Sequence, residues 1–477
     1  MTFLDQINNK IEENKTEMLS SLSKLISIRS VATDELGVKP FGEGVQKAYK
    51  EMLDMATADG FEVFNADNYG GHIDFPGKGN GVVGIVGHLD VVPEGDNWEF
   101  EPYGGEIADG FVRGRGTVDD KGPVIASYYA MKALKDCGYE PDKTIRLILG
   151  LDEETDWKGM DYYLSRVETL PDCGFTPDGD FPVIHAEMGI LVFDIVKKLP
   201  PSAGKGLELS SIRGGTAANS VPDYARAVVM DPSGSGYAFI KEMVANARKN
   251  KDWQINCKGI GKSFEISVTG VSAHGAHPER GVNAISILMD FLGGLDFIND
   301  GVTDFIHFYN ECIGYDLKGE KIGCFMTDEI SGDLVFNAGM VEVDKNTAKL
   351  TVNIRYPVTC EGEDVYERLL PVMTQYDMGI IKGKHKWPLH INKDSRLVTS
   401  LMDIYRTHTG DQDSEPLVIG GGTYARAMDN IVAFGARFPG QKELGHQKNE
   451  QIAVDDMMKL TRIYADAAYE LSRDENK

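Results

Sequence analysis

The sequence predicts an α/β protein, with a main domain built on a mostly parallel sheet flanked by helices and an inserted α+β lid domain. Apolar runs of the buried-strand kind at Val82–Val86 and Thr144–Leu151 flank a helical stretch at Pro123–Lys135. This β-α-β order is typical of a parallel sheet covered by helices. After about residue 189, the segments alternate between polar and apolar residues, as half-exposed antiparallel strands do.

Helices are predicted on both sides of the alternating region and within it. The first covers residues 4–28, where apolar side chains recur at helical spacing. Within the alternating region, helical stretches lie near residues 236–249, 282–294 and 363–376. The α/β pattern then returns with a helix at Ser395–Thr407, a strand at Ile431–Ala436 and a helix at Val454–Leu471.

These patterns divide the chain into domains. The chain has 477 residues, which is too many for one ordinary hydrophobic core. An α/β pattern that stops, gives way to alternating strands and then resumes indicates an inserted domain. We therefore expect a main domain of residues 1–189 and 381–477, with a lid domain of residues 190–380 inserted between its two parts.

The composition disfavours several partners and compartments. The chain holds 49 Lys and Arg against 74 Asp and Glu, which gives a net charge of −25. Such a charge disfavours nucleic acid and anionic membranes as partners. The six cysteines form no CxxC pair, and no secretory signal or apolar stretch of about 18 residues stands out. We therefore expect a cytoplasmic protein with reduced cysteines.

Acidic and histidine side chains cluster where predicted strands end or helices begin. Open α/β sheets bind ligands at the C-terminal ends of their strands, so residues at these places are expected to lie close together. Two of the stretches, "GHLD" and "LDEE", directly follow apolar runs, and "TVDDKGP" leads into a helix. The side chains concerned are His88, Asp90, Asp119, Glu153, Glu154 and Asp178, and His446 stands in a Gly-rich loop after a further predicted strand.

These residue types suit a site for two divalent ions. Such a site needs about five nitrogen and oxygen ligands, one of them a carboxylate that bridges the ions. Glu153 then remains beside a ligand, where it is placed to act as general base. Asp90 shares one face of the strand with His88 and is expected to orient its ring. The candidate ligands are His88, Asp119, Glu154, Asp178 and His446.

Each stretch also has an ordinary structural explanation when it is taken alone. A single histidine is more often a surface or core residue than a metal ligand. The sequence Asp-Asp-Lys-Gly is a good helix N-terminus, because acidic groups stabilise the positive end of the helix dipole. A pair of glutamates is commonly solvated. The combination of the stretches at strand ends, in this order, favours the metal site over these alternatives.

Six motifs together resemble those of a known family. They are "GHLDVVPEGDNW", "VRGRGTVDDKGP", "LDEETDWKGM", "TPDGDFPV", "GVSAHGAHPERGVNA" and "GHQKNEQI". This ordered set resembles the M20 family of co-catalytic metallopeptidases, and within it the bacterial dipeptidases of the PepV type, over nearly the whole chain. The resemblance implies a cis peptide bond after Asp119. Carboxylate-rich ligand sets accept several divalent ions, and we expect Zn²⁺, with Mn²⁺ or Co²⁺ as alternatives. The implied ligands are His88 and Asp178 for one ion, Glu154 and His446 for the other, and Asp119 between them.

The resemblance extends to polar residues of the predicted lid domain. It implies that His274 stabilises the oxyanion of the tetrahedral intermediate and that Arg355 binds the C-terminal carboxylate of the substrate. Without the resemblance, Arg355 is equally well explained as a half-exposed strand residue. Further hydrogen bonds to the substrate are implied for Asn219 and for the backbone of Gly421, Gly422 and Thr423.

Together these residues predict a metal-dependent dipeptidase, in which a water activated by two divalent ions attacks the peptide bond and Glu153 is the base. The alternative is an amidohydrolase of the same family, such as a deacylase or desuccinylase, that acts on an N-acyl amino acid. A metal-containing binding protein without catalysis is a third class, which the presence of Glu153 disfavours. Because the long insert can complete the site within one chain, we expect a monomer acting on small peptides.

Overall fold

The computed structural model describes residues 2–202, 205–232, 234, 236–251 and 253–474. Two short 3-10 helices lie at Pro278–Arg280 and Tyr424–Ala427. The α-helices are α1 (Phe3–Ile26), α2 (Glu43–Ala58), α3 (Lys121–Asp136), α4 (Lys158–Arg166), α5 (Gly236–Lys251), α6 (Ala284–Leu292), α7 (Asp300–Cys312), α8 (Gly362–Gln375), α9 (Arg396–Thr409) and α10 (Val454–Leu471).

The strands fall into two long series and several short pieces. The first half of the chain contains β1 (Glu62–Asn65), β2 (Gly71–Phe75), β3 (Val82–His88), β4 (Glu106–Ala108), β5 (Phe111–Arg113), β6 (Thr144–Gly150), β7 (Cys173–Thr176), β8 (Ile184–Glu187), β9 (Gly189–Lys198), β10 (Glu208–Gly214) and β11 (Tyr224–Met230). The second half contains β12 (Ile255–Ile260), β13 (Ser263–Thr269), β14 (Thr327–Asp328), β15 (Gly332–Asp333), β16 (Val335–Val343), β17 (Thr347–Tyr356), β18 (Gly379–Lys386), β19 (Leu389–His390), β20 (Leu417–Ile419), β21 (Ile431–Ala433) and β22 (Gln451–Ala453).

The chain divides into two compact units. The first unit comprises residues 1–186, 390–417 and 422–477, and the second comprises residues 187–389 and 418–421. The second unit therefore runs to Leu389, beyond the expected boundary at residue 380. The reason is that β18 pairs antiparallel with β9 and so extends the sheet of this unit. Residues 418–421, which the prediction assigns to the main domain, also belong to the second unit.

The first unit has a mixed sheet whose strand order is β1-β2-β6-β3-β7-β21-β8-β19. Strand β3 pairs in parallel with both β6 and β7, and β7 pairs in parallel with β21. Antiparallel pairs flank this parallel centre, at β1 with β2, β2 with β6, and β21 with β8. The α/β class is confirmed, with the predicted parallel strands at the centre of the sheet.

Helix α3 connects the core of the first unit to the place where the acidic motifs lie. It contacts α1, α10 and strand β3, and nearly every side chain along it is buried. Lys121, at its first position, is buried and donates hydrogen bonds from Nζ to the carbonyls of Leu25 (3.0 Å) and Ile28 (2.7 Å). Burial lowers the pKa of Lys121 to about 7. These bonds tie the start of α3 to the C-terminal end of α1.

The second unit contains an antiparallel sheet with the order β12-β13-β11-β10-β16-β17-β9-β18, accompanied by α5 to α8. On one face of β17, the side chains of Leu350, Val352 and Ile354 pack into the hydrophobic core of this unit. The opposite face of the strand carries Asn353 and Arg355. The α+β character predicted for the insert is therefore confirmed. Among the residues that the structure describes, no helix is long and apolar enough to cross a lipid bilayer.

Candidate metal centre and active site

Four of the acidic and histidine residues, His88, Glu153, Glu154 and Asp178, lie at or just after the ends of three neighbouring strands of the first unit. Strand β3 ends at His88, which is opposite Gly150 at the end of β6. Glu153 and Glu154 therefore follow directly beside His88, and Asp178 comes two residues after the end of β7. The predicted clustering at the C-terminal ends of parallel strands is the observed arrangement.

Asp119 lies between the two histidines. Its Oδ1 is 3.0 Å from Nε2 of His88, and its Oδ2 is 3.0 Å from Nε2 of His446. The peptide bond between Asp119 and Asp120 is cis, as the resemblance implies. A carboxylate that presents one oxygen to each of two imidazoles has the disposition needed to bridge two cations.

The remaining candidate ligands complete the same cluster. Oε1 of Glu154 is 2.9 Å from Nε2 of His446, and Oδ2 of Asp178 is 3.7 Å from Nε2 of His88. Ligand atoms of His88, Asp119 and Glu154 all lie within 4.8 Å of one another. The same holds for His88, Glu153 and Asp178, so Glu153 is close enough to act either as a base or as a ligand.

The electrostatics of the cluster favour a bound cation. Burial, with the neighbouring charge of Asp119, raises the pKa of Asp178 to about 7 and also raises that of Glu154. Burial opposes ionisation of Asp119 too, but hydrogen bonds with His446 and His88 outweigh it and lower its pKa. Hydrogen bonds with Asp119 and Glu154 raise the pKa of His446 to about 11. Half-buried carboxylates in such excess call for positive charge, and the mixed nitrogen and oxygen donors suit zinc or manganese.

Asp90 joins two parts of the site. Nδ1 of His88 is 3.0 Å from the backbone carbonyl of Asp90 and 3.3 Å from its Oδ1, so the ring is oriented with Nε2 towards the cluster. The buried carboxylate of Asp90 also accepts hydrogen bonds from the backbone N–H groups of Glu153 and Glu154, both at 3.1 Å. The sequence predicts the contact with His88, whereas the contact with Glu153 and Glu154 appears only in the folded chain.

Glu450 is a second buried acid at the site, and the sequence reasoning did not assign it a role. Its Oε1 accepts hydrogen bonds from the backbone N–H groups of Gly116 (3.0 Å), Val118 (2.8 Å) and Asp119 (3.2 Å). Its Oε2 accepts a hydrogen bond from Nη1 of Arg115 at 2.6 Å. Glu450 therefore holds the loop that presents Asp119. The signal was available, since Glu450 ends the stretch "HQKNE" that begins with His446.

Asp120 supports His88 from the other side. Its Oδ2 accepts a hydrogen bond from the backbone N–H of His88 at 3.0 Å. Burial raises the pKa of Asp120 well above its ordinary value. The approach requires a glycine on the strand, because a Cβ added at Gly87 would lie 2.7 Å from Asp120 Oδ2. The cis-linked pair Asp119–Asp120 thus contacts both the side chain and the backbone of His88.

The predicted substrate-binding residues fall in both units. In the second unit, Ser220 and His274 form an antiparallel bridge, which places Asn219 beside the loop of His274. Arg355 lies near Gly420, since a Cβ added at Gly420 would be 3.6 Å from Arg355 Cγ. Gly421 belongs to the same unit.

The last two of these residues, Gly422 and Thr423, belong to the first unit. Oγ1 of Thr423 accepts a hydrogen bond from the backbone N–H of Ala425 at 3.1 Å and so caps the short 3-10 helix there. The Thr423 side chain thus has a structural task, whereas the prediction concerns its backbone. The predicted residues thus fall into two sets. Asn219, His274, Arg355 and Gly421 belong to the second unit, and Gly422 and Thr423 belong to the first.

Comparisons with known proteins show the family to which the chain belongs. Residues 84–470 match the profile of Peptidase family M20/M25/M40. The chain is 36% identical over 474 residues to the "Putative dipeptidase SH1171" of Staphylococcus haemolyticus, covering 97% of this chain and 98% of that protein. It is 34% identical over 469 residues to the "Putative dipeptidase YtjP" of Bacillus subtilis, covering 97% and 99%.

The fold also has a solved counterpart. Human carnosine dipeptidase 1 is similar with a TM-score of 0.57, over 99% of both chains and at 15% identity. At that identity the similarity concerns the fold alone. The family profile, in contrast, matches residues 84–470 by sequence, and the two relatives are 36% and 34% identical to the chain. This chain therefore belongs to the peptidase family M20/M25/M40.

Proposed function

We propose that this peptidase is a metal-dependent dipeptidase that binds two divalent ions. The observation that carries the proposal is Asp119, whose two carboxylate oxygens each lie 3.0 Å from the Nε2 of a different histidine. The names of the relatives that share 34% and 36% identity with the chain point to the same activity. In this proposal His88 and Asp178 would hold one ion, Glu154 and His446 would hold the other, and Asp119 would serve both.

The ions would supply Lewis-acid activation of the attacking water and of the scissile carbonyl. Zn²⁺ is the ion we expect, and Mn²⁺ and Co²⁺ suit the same carboxylate-rich donors. The residues suit a divalent ion, because Nδ1 of His88 is hydrogen-bonded to the carbonyl of Asp90. This leaves Nε2 of His88 to donate its electron pair to the metal. The excess of half-buried carboxylates over positive charge supports the same assignment.

Glu153 is the proposed proton carrier. It accepts a proton as the water oxygen bonds to the carbonyl carbon, and it gives that proton to the amine nitrogen when the C–N bond breaks. Its position supports this role, because its backbone N–H is held by Asp90 and its carbonyl accepts a hydrogen bond from Trp157 Nε1 at 2.7 Å. These two contacts fix the turn on which the carboxylate stands.

His274 is proposed to stabilise the negative charge that develops on the carbonyl oxygen. The backbone N–H of Ala276 donates to Nδ1 of His274 at 3.4 Å. The neutral ring therefore carries its proton on Nε2, which makes Nε2–H a hydrogen-bond donor. A donor aimed at a developing oxyanion is worth about 3–4 kcal/mol in such reactions.

The rest of the proposed site recognises the end of the substrate. Arg355 offers a planar guanidinium that matches a C-terminal carboxylate. Asn219 and the backbone N–H groups of Gly421, Gly422 and Thr423 would add hydrogen bonds. We further propose that the enzyme works as a monomer on small peptides, without nucleic acid or membrane as a partner. The cytoplasmic location expected from the sequence stays a prediction.

The experiment that tests this function is a substrate panel. The purified enzyme, loaded in turn with Zn²⁺, Mn²⁺ and Co²⁺, is assayed with L-L dipeptides, β-alanyl dipeptides, N-acetyl amino acids and N-succinyl amino acids. We expect the highest kcat/KM on dipeptides, and loss of activity when a chelator removes the ions. Higher kcat/KM on N-acyl amino acids would instead identify an amidohydrolase of the same family. Hydrolysis that persists after complete metal removal would overturn the proposal.

A further inference from the structure

A buried asparagine in the sheet of the second unit supports the loop of Asn219 from beneath. Asn337 lies on β16 with 1% of its surface exposed. Its Nδ2 donates hydrogen bonds to the backbone carbonyls of Ala218 (2.9 Å) and Ser220 (3.0 Å), which flank Asn219. A single amide group therefore holds both sides of the residue that the loop presents.

The same segment holds the loop of His274. The backbone N–H of Gly275 donates to the carbonyl of Asn219 at 2.7 Å, and the N–H of Val221 donates to the carbonyl of Ala273 at 2.9 Å. Residues 218–221 thus lie between Asn337 on one side and residues 273–275 on the other. Displacement of this segment would move His274 as well as Asn219.

Two glycines allow the close contacts. A Cβ added at Gly339, in the bulge of β16, would lie 2.3 Å from the carbonyl oxygen of Ala218. A Cβ added at Gly275 would lie 2.9 Å from the carbonyl carbon of Asn219. The backbones of strand, segment and loop are therefore packed without intervening side chains. Such direct packing transmits a shift at Asn337 to the loop of His274.

We propose that Asn337 is a positioning residue for catalysis, which acts through His274 and Asn219 rather than by touching the substrate. This inference rests on the function proposed above. Asn337 suits the task because a side-chain amide offers two N–H donors from one nitrogen, whereas aspartate would turn acceptors towards two carbonyls. A rigid strand beneath the loops fixes the direction of the His274 donor, and catalytic donors must be held within about 0.5 Å of their productive position.

Asn353 provides a matched control for Asn337. It pairs with Asn337 across β16 and β17, and its exposed fraction is also 1%. Among the residues described, Nδ2 of Asn337 makes the contacts to Ala218 and Ser220, and Asn353 does not share them. Asn353→Ala therefore reports the effect of removing a buried amide from the same place in the sheet.

The test combines kinetics with amide hydrogen–deuterium exchange on the metal-loaded enzyme. We expect Asn337→Ala to lower kcat by about 10-fold or more at unchanged metal content, and to speed exchange in residues 218–221 and 273–275. Asn353→Ala should change both much less. In a His274→Ala background, Asn337→Ala should lower kcat by a clearly smaller factor, because the residue acts through His274.

Three outcomes would overturn the inference: equal losses in Asn337→Ala and Asn353→Ala, an undiminished loss in the His274→Ala background, or unchanged exchange in the two loops. If Asn337→Ala does not fold, Asn337→Ser decides by the same measurements, since it keeps one donor. Failure of the proposed function is recognised separately. In that case the wild-type enzyme lacks dipeptidase activity, or His274→Ala leaves kcat intact, whatever the exchange data show.

Discussion

Glu450 accepts a hydrogen bond from the backbone N–H of Asp119 at 3.2 Å, and so one acid positions another. The carboxylate of Glu450 is fully buried and also pairs with Arg115 at 2.6 Å. It lies four positions after His446. The bond therefore joins the two chain segments that contribute the candidate bridging ligand and one of its histidine neighbours. A group of this kind tunes a metal site without binding the metal.

The first prediction concerns this bond. Glu450→Gln keeps the size of the side chain but removes its charge and half of its acceptor capacity, so the loop of Asp119 is held less firmly. We expect metal affinity to fall by about 10–100-fold, measured by competitive titration with a chelating indicator. The control is Glu443→Gln, because Glu443 is 77% exposed in a nearby loop. Equal affinity of the wild type and Glu450→Gln would show that the contact is purely structural.

The second prediction concerns the number of ions. Five ligand-type residues, Asp119 among them, converge at this site, so we expect two divalent ions per chain. Elemental analysis of the active enzyme should give a metal-to-protein ratio of two, and Asp119→Asn should lower it to one or less. Asp109→Asn, at an exposed position, should leave the ratio unchanged. A ratio of one in the fully active wild type would contradict the two-ion site.

The third prediction separates the adjacent glutamates. Glu153→Gln should retain the metal and lose turnover by about 10²–10⁴-fold, because a general base is removed. Glu154→Gln should instead lose metal, since Glu154 is 2.9 Å from His446. Metal content and single-turnover rates distinguish the two variants. Loss of metal in Glu153→Gln would make Glu153 a ligand, which its distance to His88 and Asp178 also permits.

The fourth prediction concerns His274 as oxyanion donor. His274→Ala should lower kcat by about 10²-fold or more and leave metal content unchanged, as expected when a transition-state donor is lost. His277→Ala is the matched control, because this histidine lies in the same loop and is also exposed. An effect confined to KM would make His274 a substrate-binding residue instead.

The fifth prediction concerns substrate length. A dipeptide spans about 7 Å when extended, and each added residue requires roughly 3.5 Å more. If Arg355 binds the C-terminal carboxylate at a fixed distance from the reacting bond, tripeptides and dipeptide amides should be hydrolysed weakly or not at all. Arg355→Ala should cost most on free-acid dipeptides, because the lost contact is charge-assisted. Similar kcat/KM values for a dipeptide, its amide and a pentapeptide would contradict this assignment.

The sequence by itself determined the local elements and the residues of the candidate site. The apolar strand at Val82–Val86, the helix predicted at Pro123–Lys135 and the alternating strands after residue 189 are all present in the structure. The spacing of buried side chains in a helix or strand is fixed by its local backbone geometry, so a sequence pattern can reveal it. Four ligand candidates were also predictable, since His88, Asp119, Glu154 and Asp178 stand where a strand ends or a helix begins. His446 lies in the loop between β21 and β22 and was predicted from its motif. Parallel strands bring such ends to one edge whatever the details of packing.

Only the tertiary structure decided which groups hold these residues in place. Asp90 contacts the backbone of Glu153 because β6 lies next to β3 with His88 opposite Gly150. Glu450 and Asn337 act on loops that are distant in the chain, and the assignment of residues 418–421 to the second unit has the same origin. Hydrogen bonds of this kind depend on strand order and register. The periodicity of a single sequence does not encode these, because it records which face is buried and not what lies against it.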